Sequence, residues 1–359
     1  MASLADQLKA VQLKKSTEPI KDFSSARTAG FMKDEDIKAY EKSVLEVNTE
    51  HWIDLLKDET FPTELCPFLL EEAKVFLAVY ERLYLNKDSD VIKNTDWKDT
   101  LSDDERILLD VLENRLQNAM DVFTKDGFAF VKTSSRSAKD APLVQNNFKQ
   151  LYLSELDSYP ESYRSENIKI TCLLKAAFDA LRVKTAGEVI DMFLRSERIY
   201  QDLLLAAVNQ VSKYHEHFVI RKFVDIDVDM EFRGFVWKNE LVALSQYNYA
   251  IYSERLASNK AMYGDMVKKY YDDKIKPKLT STDFPENTII DFAICENGKK
   301  LWVIEVNPYM ETTDGALFSW QHEVPILQGA EGFVFRVTEK VRPGARTILP
   351  QSVRALMES

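Results

Sequence analysis

Glu305 and Asn307 stand two residues apart in the stretch LWVIEVNPY, residues 301–309. A run this apolar reads as a buried strand. Strand side chains alternate, so the carboxylate and the amide share one face while Ile304 and Val306 share the other. A carboxylate in such a run is costly unless it is paired, hydrogen-bonded or bound to a metal. Asp291 raises the same question in TIIDFAI, residues 288–294. The two runs read as a hairpin across Glu296-Asn-Gly-Lys299. A two-residue Asn297-Gly298 turn pairs 291 with 304 and leaves the acids on opposite faces. A three-residue loop, 297–299, pairs 291 with 305 and puts them on one face. The longer loop is expected, because two isolated acids on an apolar hairpin are hard to explain separately. Converging carboxylates repel. A divalent cation removes the conflict, and the oxygen-only set Asp291, Glu305 and Asn307 suits Mg²⁺ with phosphate oxygens and water. The alternative is that Glu305 pairs with a lysine at the sheet edge.

Cations are also placed on strands. Lys132 ends FAFVK, Arg221 and Lys222 sit in FVIRKFV, and Arg233 lies in MEFRGFV on the same face as Glu231. Such residues are usually partly exposed at sheet edges. Three cation-bearing strands together with an acidic hairpin point to a triphosphate between two sheets, its charge neutralised by Lys and Arg.

The elements that must position these groups follow from the wider pattern. The chain has 359 residues, 45% of them hydrophobic, which is enough for one large domain or two ordinary ones. Residues 35–126 read as helical, with a capping box at Ser102-Asp-Asp-Glu105 and Gly127 closing the run. Residues 143–217 read mainly as helices, with a second capping box at Thr185-Ala-Gly-Glu188. From 218 the pattern turns to strands, with a tight connection at Lys238-Asn239-Glu240 and a helix over 258–275. The fold class is α+β.

Composition excludes several functions. The net charge of −11 argues against broad nucleic-acid binding. Three scattered cysteines carry neither a disulfide framework nor zinc spacing. His215 and His217 are the only close pair of histidines, a weak metal signal. No secretory signal or membrane-spanning stretch is visible, which implies a soluble, cytoplasmic protein. Neither the P-loop nor the Rossmann glycine pattern occurs.

Five stretches together resemble the cell division cycle protein 123 (D123) family, a branch of the ATP-grasp fold. They are FVKTSSRSAKDA (130–141), FVIRKFV (218–224), MEFRGFVWKNELVALSQYNY (230–249), TIIDFAI (288–294) and LWVIEVNPYMETTDGALFSW (301–320), in the family's order over about residues 128–323. The resemblance implies an ATP-grasp-like domain over 127–359 that holds nucleotide between two antiparallel-rich sheets. By it, Lys132 lies over the phosphates, Arg221 and Lys222 belong to the adenine and phosphate pocket, and Arg233 contacts phosphate. Asp291, Glu305 and Asn307 match the ligands of Mg²⁺ and ATP. It further implies an assembly chaperone or adaptor whose partner is a translation initiation factor 2 subunit. A carboxylate–amine or carboxylate–thiol ligase working through an acyl phosphate is the alternative, so catalysis stays open. The sequence departs from the family at Glu305, where Asp is usual, at Thr133-Ser-Ser-Arg136 after the lysine, and at Val224–Asp229 after the Arg-Lys strand.

The N-terminus resembles something else. LADQLKAVQLKKS, within residues 1–16, is similar to a WASP-homology-2 motif of the actin-monomer-binding kind. Leu4, Leu8 and Val11 would form the helix face, and Leu13, Lys14 and Lys15 the extended part. The plainer reading is a terminal helix packed on its own domain. Residues 17–34, broken by Pro19 and Gly30, read as a linker.

Overall fold

The computed structural model describes residues 42–85, 96–144, 148–209, 214–349 and 351–358. The actin-type motif, with Leu4, Leu8, Val11, Leu13, Lys14 and Lys15, and the 17–34 linker lie outside the described residues.

Two sheets organise the chain. The first runs β1 (Thr63–Phe68), β4 (Glu216–Lys222), β2 (Ala129–Thr133), β3 (Arg182–Val183) in spatial order, with antiparallel neighbours throughout. The second runs β8 (Lys300–Pro308), β7 (Thr288–Cys295), β5 (Glu231–Trp237), β6 (Glu240–Gln246), β9 (Val334–Arg336). Its pairs are antiparallel except β6 with β9. The α+β reading with antiparallel-rich sheets therefore holds. The 35–126 region is not wholly helical. It contributes β1, which pairs residue for residue with β4, so a domain boundary at 127 would cut the first sheet.

Local chemistry explains the elements. Ser102 and Thr185 accept from the backbone N–H three residues on, while Glu105 and Glu188 reach back, which satisfies the first-turn donors of Asp103–Thr124 and Ala186–Leu194. Gly127 has no positive φ, so the long helix ends without the left-handed stop expected of it. Both helices pack with Leu70–Tyr80 and Glu197–Asn209 on the first sheet, around Leu112, Leu116, Val189 and Phe218. Lys260–Tyr270, continued by a wider turn at Tyr271–Ile275, covers the second sheet around Phe232, Ile290 and Phe292. The β5–β6 turn is the two-residue kind that suits twisted strands, with Lys238 at φ 51 and Asn239 at φ 61. Gly234 is fixed by crowding. A Cβ there would lie 2.7 Å from Phe292 Cε2 and 2.8 Å from Leu241 Cδ1.

The sheets are joined where the chain enters β1. Val303 N–H donates to Glu59 O at 2.8 Å, and Thr60 Oγ1 donates to Val303 O at 2.6 Å. Arg221, on β4 of the first sheet and 3% exposed, reaches the same place. It donates to Thr60 Oγ1, to Thr63 Oγ1 and to Ile304 O of the second sheet, with its guanidinium over the Phe61 and Trp52 rings. Burial pushes this guanidinium down to about 10, against the pull of Glu305. Arg221→Met keeps the stem but leaves a buried carbonyl without its donor. Urea unfolding should show a loss of about 1–3 kcal/mol. An unchanged midpoint would mean that Arg221 is not the tie between the sheets.

Candidate functional site

Register decides what meets. Arg233 on β5 pairs with Asp291 on β7, and Asp291 pairs with Glu305 on β8. On the other side Arg233 pairs with Ser245 on β6, and Ser245 with Arg336 on β9. One polar row thus crosses all five strands of the sheet. The expected Asp291–Glu305 pairing is present, but its cause differs. The turn uses four residues, 296–299, and pairs Cys295 with Lys300. That frame would put 291 opposite 304. A bulge at Ile304 shifts the register by one and delivers Glu305 instead.

Each acid has side-chain partners of its own. Arg233 grips Asp291 with two bonds, Nε to Oδ1 and Nη2 to Oδ2, each 2.9 Å. Asn307 Nδ2 donates to Asp291 Oδ2 at 3.2 Å. Lys132 crosses from β2 of the first sheet and donates to Glu305 Oε1 at 2.6 Å. Lys132, Arg233, Asp291, Glu305 and Asn307 are all buried. The lysine partner of Glu305 that stood as the alternative is therefore real, though it comes from the opposite sheet rather than an edge. Burial alone would raise the Glu305 carboxyl, but Lys132 and Lys139 hold it down at about 2. Arg233, buried yet bound to Asp291, is pushed well above its usual range.

Arg221 joins this group through the bulge carbonyl, but Lys222 does not. It is exposed and points away, as the neighbour of an inward strand residue must. Two further residues belong to the cluster. Lys139 lies in the loop after β2, 5.6 Å from the Tyr247 ring centre, with its charge felt by Glu305 and Glu231. Glu231 lies two residues before Arg233. Burial raises its carboxyl to about 7, with Lys139 opposing and Asp291 adding to the rise. Glu231 is legible in the sequence as a face-mate of Arg233; Lys139 sits in a loop without periodicity. The 313–320 segment closes over Arg233, whose Nη1 donates to Asp314 O at 2.9 Å.

Comparison with known proteins finds one family and one solved fold similar to this chain. Residues 174–352 match the D123 family. Among similar proteins, the translation initiation factor eIF2 assembly protein of Dictyostelium discoideum is 26% identical over 154 residues, 42% of this chain and 39% of that one. The protein of the same name from Xenopus laevis is 28% identical over 147 residues, 40% of this chain and 42% of that one. That of Vanderwaltozyma polyspora is 34% identical over 104 residues, 28% of this chain and 26% of that one. The chain thus spans about two fifths or less of the length of these curated relatives. The solved structure of Cdc123 from Schizosaccharomyces pombe superposes with a TM-score of 0.56 at 19% identity, covering 83% of this chain and 98% of that chain. The fold of that protein is therefore shared well beyond residues 174–352 of this chain.

Glu231 gives the site a pH signature. Its native carboxyl keeps a proton that the unfolded chain has already lost, so its contribution to stability falls as pH rises from the ordinary carboxylate range through about 7. Glu231→Gln should gain about 2–3 kcal/mol on the wild type between about pH 5 and about pH 8. Parallel denaturation curves at the two pH values would remove Glu231 from the cluster.

Proposed function

We propose that this chain binds ATP with Mg²⁺ where its two sheets meet, in the manner of an ATP-grasp protein, and serves as an assembly chaperone or adaptor for translation initiation factor 2. The observation that carries the nucleotide half is the charge of the joint. Lys132, Lys139, Arg221 and Arg233 converge on three carboxylates, Asp291, Glu305 and Glu231, one of which titrates near neutrality. An excess of buried cations favours a polyanion. Asp291, Glu305 and Asn307 fit a hard cation, since all three offer oxygen atoms, and no sulfur or imidazole stands among them. Bound there, Mg²⁺ would neutralise phosphate charge. The chain's own part is to release Lys132 from Glu305 toward phosphate while Arg233 keeps Asp291 aligned.

The partner half is supported by the relatives named as eIF2 assembly proteins. Nothing in the cluster requires turnover of the nucleotide, and an adaptor reading needs none.

Thermal melting tests the site. Mg²⁺–ATP should raise the melting temperature of the wild type by mass action, by an amount that grows with ligand concentration. Glu305→Gln removes a charge without volume and should abolish most of the shift. An equal shift in both proteins would place ATP elsewhere, and no shift in the wild type would end the nucleotide reading. Capture of translation initiation factor 2 subunits by the full chain tests the partner separately. Its failure with ATP binding intact would leave the site and remove the partner.

A further inference from the structure

A second cluster lies on the face of β4 that carries Arg221, toward the beginning of the strand. His215 and His217 are two residues apart, so their rings lean to one side. The ring centres are 4.7 Å apart. Glu50, in the short helix Thr49–Trp52, faces them, with its Oε1 3.8 Å from His215 Nδ1 and 3.7 Å from His217 Nδ1. One ligand atom from each residue lies within 4.8 Å of the others. Ligands bound at about 2.0–2.1 Å around a tetrahedral ion stand about 3.3 Å apart, so only slight closure is needed.

Two observations separate this triad from a chance surface group. Among the described residues, Glu50 Oε2 and His217 Nδ1 are buried without a hydrogen-bond partner. Buried polar atoms rarely go unsatisfied, and a bound ion is one way to satisfy them. The second is backbone preorganisation. Ser134, just after β2, binds both sides: its carbonyl accepts from Thr49 N–H at 3.2 Å and Thr49 Oγ1 at 3.0 Å, and its Oγ accepts from His217 N–H at 3.0 Å. The two ligand-bearing segments are therefore held in place before any ion arrives.

We propose that Glu50, His215 and His217 form a binding site for a divalent transition metal of the zinc class. Two imidazoles and a carboxylate suit borderline cations better than Mg²⁺. Three protein ligands leave one position for water or an incoming group. The site is separate from the Asp291–Glu305–Asn307 set and does not depend on it. Its place gives it a role. The short helix that carries Glu50 also carries Trp52, which packs over the Arg221 guanidinium at 5.9 Å. An ion here pins that helix to β4 and steadies the aromatic wall behind Arg221.

The test uses metal-stripped full-length protein titrated with Zn²⁺, and with Co²⁺ as a spectroscopic probe. One equivalent of Zn²⁺ should bind and raise the melting temperature, and Co²⁺ should give visible bands of a low-symmetry, nitrogen- and oxygen-ligated ion. His215 is largely exposed, so His215→Ala should fold normally. It should weaken binding at least as much as loss of an outer-shell partner does, about tenfold to a hundredfold. Glu50→Gln should do the same, and Glu305→Gln should not. The proposal is overturned by wild-type protein that binds neither ion, by binding that survives both His215→Ala and Glu50→Gln, or by binding lost only in Glu305→Gln.

Discussion

The bulge at Ile304 is the constraint on which the site depends. Without it the hairpin would keep one register from turn to end, and Glu305 would face away from Asp291. With it, both carboxylates enter one row, and the carbonyl of the bulged residue becomes available to Arg221 on the other sheet. One inserted residue thus sets the face of the acids and the contact between the sheets. β7 has no exposed position, since one face packs under Lys260–Tyr270 and the other lies in the joint. Moving β8 by a residue would bury Ile304 in the row and push a carboxylate into the apolar layer, at a cost no neighbouring cation could offset.

Much of this is legible in the sequence. Alternation gives the face shared by Glu305 and Asn307, the isolation of two acids gives their convergence, and capping residues give the starts of two helices. The bulge is not legible, because a longer loop reaches the same convergence, and only the folded chain distinguishes a shift in the turn from a shift within the strand. Strand β1 is hidden for a different reason. TELCPF contains a proline and no clear alternation, so nothing in it stands out from the helical reading of 35–126, yet it lies at the edge of the sheet, where a missing N–H is tolerated.

Lys222 and Lys139 show opposite errors. Arg221 and Lys222 are adjacent on one strand, and the period of two forbids both from entering one site; the pattern itself holds the correction. Lys139 carries no such signal. Its placement comes from the loop after β2, which is fixed by long-range bonds such as Ser196 Oγ to Asp140 Oδ1 at 2.6 Å. Local sequence cannot report a contact between positions that far apart. Charge on strands is therefore the more readable half of such a site, and charge on loops the less readable half.

The joint is closed by its own charges, and this bears on how the proposed nucleotide would enter. Lys132 with Glu305, and Arg233 with Asp291, are buried pairs whose members would each be costly alone. A bare polyanion would take the cations and strand the carboxylates. A bare divalent cation would do the reverse. On the proposed reading the two together exchange the Lys132–Glu305 pair, phosphate against Lys132 and metal against Glu305, while Arg233 keeps Asp291, and no buried charge is left unmatched. Glu231 adds adjustment, since its carboxyl sits near neutrality and can take or release a proton as the charge around it changes. On the proposed reading the arrangement would select for the metal–nucleotide pair over either component, through desolvation rather than through any single strong contact.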